Sequence, residues 1–561
     1  MTGTAAPARG TPVAATTPAA GGPPARMGFW RSLRPSGREL AGAVAGGLAF
    51  ATAFPPIPGA LLAFVCLVPL AVGVGRAADD GGLARVAARL GVWFTVVGFG
   101  LALYWIAVAL SLFTPLAFLA YIGTIIGMSA LVALTTTSLF VARRLTKWPL
   151  AILLPATWVS LELLLAYFSD LAFPWFPLGL ALARHPGWAQ VADLSGVHGL
   201  SIWIAATNGL LADAWLAAVP SDPAPRAPGG WREAMRRRGV IAPLAVALLL
   251  AVAVRGYGAW RLHTVVLEPL ARIGIVQPNI SEDEKMQRAM QGRFIVPLAA
   301  LTRQEEARDH PALMLWPETA LPDFLSHRPD WVDSLRSLTR DASTPILFGM
   351  LDYTVFGSGP DDWDYFNAAA LADSTGRLGT QPAYHKKYLV PIVERVPFLN
   401  PRWFSGIQYF GGFGRGTSAR PFVLPFGKVG VLICYESIFP QQSRAYRRAG
   451  ADLIVNLTND AWFGQGTAPY QHESHLRLRA IETRVGIVRA ANTGISEYID
   501  PLGRVFGALP LFVAGAATYS AQTTALRSPY VVIGDWAAIA CVLTTIALLG
   551  WAFIRRRTSQ H

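Results

Sequence analysis

Three short motifs bring a thiol, a carboxylate and an ammonium to the ends of apolar runs. In Val429-Gly430-Val431-Leu432-Ile433-Cys434-Tyr435-Glu436 an apolar, β-branched run breaks off at a cysteine followed by polar residues. That pattern predicts a buried strand with Cys434 at its end. In Ala312-Leu313-Met314-Leu315-Trp316-Pro317-Glu318 a second run ends at a carboxylate, and Tyr384-His385-Lys386-Lys387-Tyr388 carries lysines to a third junction. A lone buried cysteine is usually a small core hydrophobe. A thiol fixed on a strand end can instead face a cleft, and with a carboxylate to take its proton and an ammonium to offset negative charge the set suits covalent acyl transfer. The residue types alone leave Lys386 and Lys387 equivalent. Of the three cysteines, Cys66 and Cys541 lie within apolar segments, so Cys434 has no partner for a disulfide in the globular region.

The chain that must position these groups has 561 residues, 53% of them hydrophobic, and a mean hydropathy of +0.38. That exceeds the apolar content of an ordinary soluble domain. The excess is concentrated in residues 39–256 and 529–554. A net charge of +13 raises the question of nucleic acid. No basic stripe with interleaved aromatics is present, and the arginines cluster beside apolar segments as membrane flanks do.

Residues 1–38, rich in Ala, Pro and Gly and ending in a basic stretch, are expected to be a disordered tail. Seven spans are expected over 39–256, at about 39–54, 57–75, 88–110, 115–141, 148–168, 196–218 and 239–256. An eighth, followed by a basic tail, is expected in 529–561. The first two runs are short and joined by Phe54-Pro55-Pro56-Ile57-Pro58-Gly59, which reads as a tight hairpin. Residues 169–195, with Trp175, Phe176, Pro177 and Trp188, read as an interfacial segment. Basic residues fall in alternate loops: Arg76, Arg85 and Arg89; Arg143, Arg144 and Lys147; Arg236-Arg237-Arg238; and Arg555-Arg556-Arg557. The positive-inside rule then places both termini in the cytoplasm and residues 268–528 on the outer face.

Within 268–528, strand-like runs alternate with helical stretches and hairpins, which predicts a layered α/β sandwich. The aromatic, glycine-rich stretch Phe398–Thr417 is expected to form a lid that dips into the lipid interface. Gln471-His472-Glu473-Ser474-His475 has two histidines three apart and no third ligand in view, so it reads as a solvated helix face rather than a metal site.

Trp316-Pro317-Glu318, Tyr384-x-Lys386, Leu389-Val390-Pro391, Glu394-x-Val396-Pro397, Cys434-Tyr435-Glu436 and Asn459-Asp460-Ala461-Trp462-Phe463 occur in that order. Together they resemble the carbon–nitrogen hydrolase (nitrilase) superfamily, and with spans on both sides they resemble its membrane-embedded apolipoprotein N-acyltransferase family. The resemblance runs from about residue 39 to the C-terminus. It implies an αββα sandwich on the periplasmic side of a bacterial inner membrane, carried by a multi-span helical domain. It also implies Glu318 as general base, Lys386 as the triad lysine and Cys434 as nucleophile, with Glu394, Glu436 and Tyr435 in support. The implied reaction moves a fatty acyl chain from a phospholipid, through a Cys434 thioester, to the α-amine of an S-diacylglyceryl-cysteine on an apolipoprotein. Neither cofactor, metal nor nucleic acid is implied, and a monomer is expected. One departure is Met286, where the family often has a tryptophan. A membrane-anchored amidase of the same superfamily, with water as acceptor, is the alternative. A transporter or scaffold with an inactive domain is a third reading, disfavoured by the complete triad motifs and the few intramembrane acids, Glu162 and Asp213.

Overall fold

The computed structural model describes residues 2–3, 37–111, 117–219, 238–287, 290, 292–357, 362–400, 403 and 411–558. The expected N-terminal tail therefore lies almost wholly outside the described residues. Among the described residues, seven helical segments are long and apolar enough to cross a bilayer: Ala60–Asp79, Ala84–Ala102, Ala117–Thr146, Leu150–Tyr167, Ala192–Ala218, Gly239–Thr264 and Trp536–Arg555. The first apolar run, expected to be short, is not among these seven. It forms the 16-residue helix Gly37–Thr52, about 24 Å at 1.5 Å per residue, against a hydrocarbon core of about 30 Å. The proline-rich junction ends this helix, and the next segment begins with one 3₁₀ stretch, Ala60–Phe64.

Residues 169–195 do not form a span. Trp175, Leu178, Leu180, Ala183 and Ala189 are all buried, covered by the helix Ala192–Ala218 and by the globular domain. Phe173 and Trp175 stack at 5.7 Å, and Trp175 in turn lies against Phe463 and His472. A segment with this composition can sit at a lipid interface or be covered by protein, and here protein covers it.

Among the described residues the globular domain has thirteen strands: β1 (Glu268–Gln277), β2 (Leu313–Leu315), β3 (Leu321–Phe324), β4 (Ile346–Val355), β5 (Trp363–Ala372), β6 (Tyr384–His385), β7 (Phe422–Leu424), β8 (Gly427–Ile433), β9 (Leu453–Thr458), β10 (Gly486–Ala491), β11 (Ser496–Ile499), β12 (Val505–Leu509) and β13 (Gly515–Thr523). One sheet is ordered β13-β1-β2-β4-β5-β6 with β3 beside β4, and the other β12-β11-β10-β9-β8-β7. Strand alternation builds the layers. Ile273, Ile275, Leu313, Leu315 and Leu347 point from the first sheet into the space between sheets, where they meet Val429, Val431, Leu453, Val455 and Ile487 of the second. The residues between them, Val276, Met314, Ile346 and Phe348, face outward and pack under the helices Ile295–Asp309 and Pro329–Ala342. The helices Pro440–Arg448 and Ala468–Thr483 cover the other sheet.

That second helical layer is not an outer surface. Tyr435, Ile438, Phe439, Ala468, Leu478 and Ile481 belong to the same hydrophobic cluster as Phe50, Phe94, Trp158 and Leu200 of the membrane helices. This layer of the sandwich and the helical domain share one hydrophobic cluster.

Candidate active site

Strand β8 runs parallel to β9 with Ile433 opposite Leu457, and the chain leaves the sheet at the next residue. Cys434 has φ +47° and opens the short 3₁₀ helix Cys434–Ile438. A left-handed conformation costs a non-glycine residue about 1–2 kcal/mol, so the surroundings must enforce it. His472 does so in part, donating from Nε2 to the Cys434 carbonyl oxygen at 3.0 Å. The other ring nitrogen lies 3.0 Å from Asp460 Oδ1, and Asp460 also pairs with Arg489. Burial alone would raise the Asp460 carboxyl, but Arg489 and His472 outweigh it and hold the group well below the usual carboxylate range. The Gln471–His475 stretch is thus a buried support beneath the nucleophile rather than a solvated face. His472 and His475 are both fully buried.

Glu318 follows β2 by three residues, at the same end of the sandwich as Cys434. Its Oε1 accepts from Asn367 Nδ2 at 2.7 Å and Lys386 Nζ at 3.2 Å, and its Oε2 accepts from the Asn459 backbone N–H at 2.9 Å. Glycine at 349 on β4 is what lets this turn sit against the sheet. The Gly349 N–H donates to the Pro317 carbonyl at 3.2 Å, and a Cβ there would lie 2.5 Å from that oxygen and 2.7 Å from the Glu318 Cα. Gly349→Ala is therefore expected to displace the carboxylate by a few tenths of an ångström or more and to lower turnover roughly tenfold to a hundredfold, with a smaller change in KM. Steady-state kinetics on the purified variant checks this, and an unchanged kcat would refute it.

Lys386 is 1% exposed. Its Nζ is 2.8 Å from Glu394 Oε1 as well as 3.2 Å from Glu318 Oε1. Burial would lower this ammonium, but Glu318, Glu394 and Cys434 outweigh that and raise it well above the ordinary lysine range. Lys387 takes no part: its Nζ lies over the Tyr388 ring, 5.7 Å from the centroid. Glu394 also accepts from Asn367 Nδ2 at 3.0 Å and from the Val390 N–H at 2.8 Å. Asn367, on β5, thus ties the two carboxylates together. Nothing in its local sequence, an alanine-rich strand, marked it in advance.

Glu436 does something different. Its carboxylate accepts from the Tyr384 hydroxyl (2.6 Å) and from the backbone N–H groups of Lys387 (2.7 Å), Tyr388 (3.2 Å) and Ile433 (2.8 Å). It is a clamp between the lysine-bearing segment and the end of β8. Burial pushes this carboxyl up to about 7, against the pull of the Ile433, Tyr384 and Lys387 donors and of the Lys386 charge. Tyr435 points the other way, donating its hydroxyl to the Ala172 carbonyl at 2.8 Å.

The Cys434 thiol is buried, which raises it. The Glu318 charge raises it further, and Lys386 opposes this only in part. The reason lies in the arrangement: two carboxylates already share the lysine, so little positive potential is left for a thiolate. The resting group is a thiol, and a neighbouring base must take its proton before it can attack.

A cavity of about 690 Å³ holds Glu318, Lys386, Glu394 and Cys434 at one end. It runs on between the membrane helices, past Trp105, Leu110, Gly123, Gly127 and Leu131. A Cβ placed at Gly123 or Gly127 would meet nothing within 4 Å, so the groove is open along that face. Glu282 and Lys285 also line the cavity. They belong to the short helix Glu282–Met286, whose capping box, Ser281 with Glu284, was readable in the sequence although its place beside Glu318 was not. The Met286 side chain lies outside the described residues. Of the aromatic stretch expected to form a lid, residues 401–402 and 404–410 also lie outside them. Its flanks are anchored to Asp170, which accepts from Phe398 N–H at 3.2 Å and Arg415 at 2.6 Å.

Two family models match the chain: the apolipoprotein N-acyltransferase N-terminal domain over residues 46–210 and carbon–nitrogen hydrolase over 272–527. A curated apolipoprotein N-acyltransferase of Geobacter metallireducens is 31% identical over 93% of this chain and 97% of its own length. That of Agrobacterium fabrum is 32% identical over 83% of this chain and 87% of its own. A solved Nesterenkonia amidase of the nitrilase superfamily is 18% identical, covering 48% of this chain and 95% of the amidase with a TM-score of 0.36.

Proposed function

Since this chain belongs to the apolipoprotein N-acyltransferase family, we propose that it moves a fatty acyl group from a phospholipid, through a thioester on Cys434, to the α-amine of an S-diacylglyceryl-cysteine. It is a multi-pass N-acyltransferase of the inner membrane, and its globular domain is of the carbon–nitrogen hydrolase type. The observation that carries the reading is the cavity, which joins a buried thiol, base and ammonium to an apolar groove between membrane helices. An acyl chain has a place to lie there while its ester carbonyl reaches Cys434.

In this reading Glu318 takes the Cys434 proton, and the thiolate attacks the ester carbonyl. The oxyanion is held by Lys386 and the Tyr435 backbone N–H, contacts whose individual loss typically costs about 3–4 kcal/mol. Glu318 then protonates the departing lysophospholipid oxygen. In the second half-reaction an amine attacks the thioester carbon, Glu318 takes an N–H proton, and that proton passes to the Cys434 sulfur as the C–S bond breaks. Glu394 orients Lys386, and Glu436 fixes the lysine segment against the nucleophile's strand. The basic loops that begin at Arg76, Arg143 and Arg236 support a periplasmic position for residues 268–528. With the short first helix crossing a locally thinned bilayer, both termini are cytoplasmic. The protein acts as a monomer, because one chain supplies every group the steps use.

Intact mass of the protein after incubation with phospholipid tests the scheme. The expected result is a fatty-acyl adduct that persists in buffer and is discharged when an S-diacylglyceryl peptide is added. An adduct lost equally fast without peptide would make the protein a hydrolase and overturn the acceptor assignment.

A further inference from the structure

The carboxylates and lysines lining the cavity do not cancel. Glu282, Glu318 and Glu394 are carboxylates, and Lys285 and Lys386 are ammonium groups. His472 also reaches the lining, where it belongs to a separate cluster with Asp460 and Arg489. Glu318 and Glu394 share Lys386 at 3.2 and 2.8 Å. Glu282 is held differently: one of its oxygens accepts from the neutral amide of Asn459 at 2.8 Å. The backbone N–H of that same Asn459 donates to Glu318 Oε2 at 2.9 Å. A single residue therefore sets the distance between the Glu282 carboxylate and the base. Among these glutamates and lysines, carboxylates outnumber ammonium groups three to two, and the excess carboxylate lies beside the group that must deprotonate the acceptor. A phospholipid donor, whose headgroup bears a phosphate, does not complement it. An ammonium does.

We propose that Glu282 is the receiving group for the acceptor's α-ammonium. This deepens the reading above and rests on it. An α-amino group has an ordinary pKa of about 7.7–8.0, so at neutral pH most of it arrives protonated and unable to attack. The ammonium gives one proton to the Glu282 carboxylate. The neutral amine then attacks the thioester carbon, its second proton passes through Glu318 to the Cys434 sulfur, and Glu282 releases its proton to water. Thioester and ammonium go to amide, thiol and one proton, so the step balances. Burial raises Glu282 above the ordinary carboxylate range, with Lys285 and the Asn459 hydrogen bond pulling it back and Glu318 and Asp283 pushing it further up. A carboxylate so raised is a better acceptor for an ammonium proton than an exposed one.

The two half-reactions separate this role from a structural one. With full-length protein in phospholipid-containing micelles, thioester formation is read by intact mass, and its discharge is read with a synthetic S-diacylglyceryl-cysteinyl peptide. Glu282→Gln is expected to slow discharge roughly tenfold or more beyond any effect on thioester formation. Its discharge rate should also climb with pH as the peptide deprotonates itself, so that the gap to wild type narrows between pH 6 and pH 8.5. Glu282→Asp is expected to restore part of the discharge. Equal slowing of both half-reactions, or a gap that does not change with pH, would overturn the proposal and make Glu282 a brace for Asn459. Absence of the adduct in wild type would instead overturn the thioester reading itself.

Discussion

Cys434→Ala is expected to leave a folded protein that forms no fatty-acyl adduct and transfers nothing, a loss of roughly 10⁴-fold or more. The fold should tolerate it. Cys434 lies at the end of a strand whose packing is made by Val429, Val431 and Ile433, and the turn is held through its backbone carbonyl by His472 rather than through its sulfur. The chemistry should not tolerate it, since no other cysteine is near: Cys66 and Cys541 belong to helical-domain segments. Intact mass with phospholipid, alongside a thermal melt, checks both halves of the statement. An adduct that survives on the alanine variant would sink the nucleophile assignment.

Lys386→Met should be nearly as severe. Methionine fills a similar volume without charge, so packing is preserved while two effects combine. The tetrahedral oxyanion loses a donor worth about 3–4 kcal/mol. The Glu318 and Glu394 carboxylates, which now share the ammonium at 3.2 and 2.8 Å, would face each other across a buried gap. Two carboxylates in that position cannot both stay ionised, and one takes up a proton. If it is Glu318, the base is lost as well. A fall of roughly 10³-fold or more in single-turnover thioester formation is expected, and a loss below tenfold would remove Lys386 from the triad. The sign of the pH effect also follows. Because the folded protein holds Lys386 above its ordinary value, its stabilising contribution is complete below the unfolded pKa of about 10.4 and is lost only as pH rises through the higher folded one. An alkaline fall in activity near pH 9 would therefore have another origin.

How far the sequence carried this picture differs from residue to residue. Cys434 and Glu318 were legible because each ends an apolar run, and strand ends are where a sandwich exposes side chains to a cleft. Choosing Lys386 over Lys387 needed the family motif, since both follow the same short strand. The family motif made Glu394 legible as an orienting partner of Lys386 and Glu436 as a holder of the turn after the nucleophile; that Glu436 also clamps the lysine-bearing segment was not legible, because it depends on which segments meet across two sheets. The clear misreading is Gln471–His475, expected to be solvated yet buried against the Trp175 segment, with Trp175 Nε1 donating to Gln471 Oε1 at 3.0 Å and His475 Nε2 to the Trp175 carbonyl at 3.1 Å. Periodicity reports how one element divides its faces between apolar and polar surroundings. It does not report that a polar face will be covered by another domain that satisfies its hydrogen bonds. Asn367, Glu282 and Lys285 were missed for the complementary reason: they are ordinary residues of a strand and a short helix until the fold sets them beside Glu318.

The hydrogen bond from Tyr435 to the Ala172 carbonyl, together with the hydrophobic cluster shared by the two domains, fixes the position of the nucleophile relative to the membrane helices. A domain on a flexible tether would sample many heights, and the effective concentration of a reactive group at any one of them would fall accordingly. In the proposed reaction both substrates carry their own anchors and present the reacting ester and amine at a depth set by their glycerol backbones. Encounter is then a search in two dimensions rather than three.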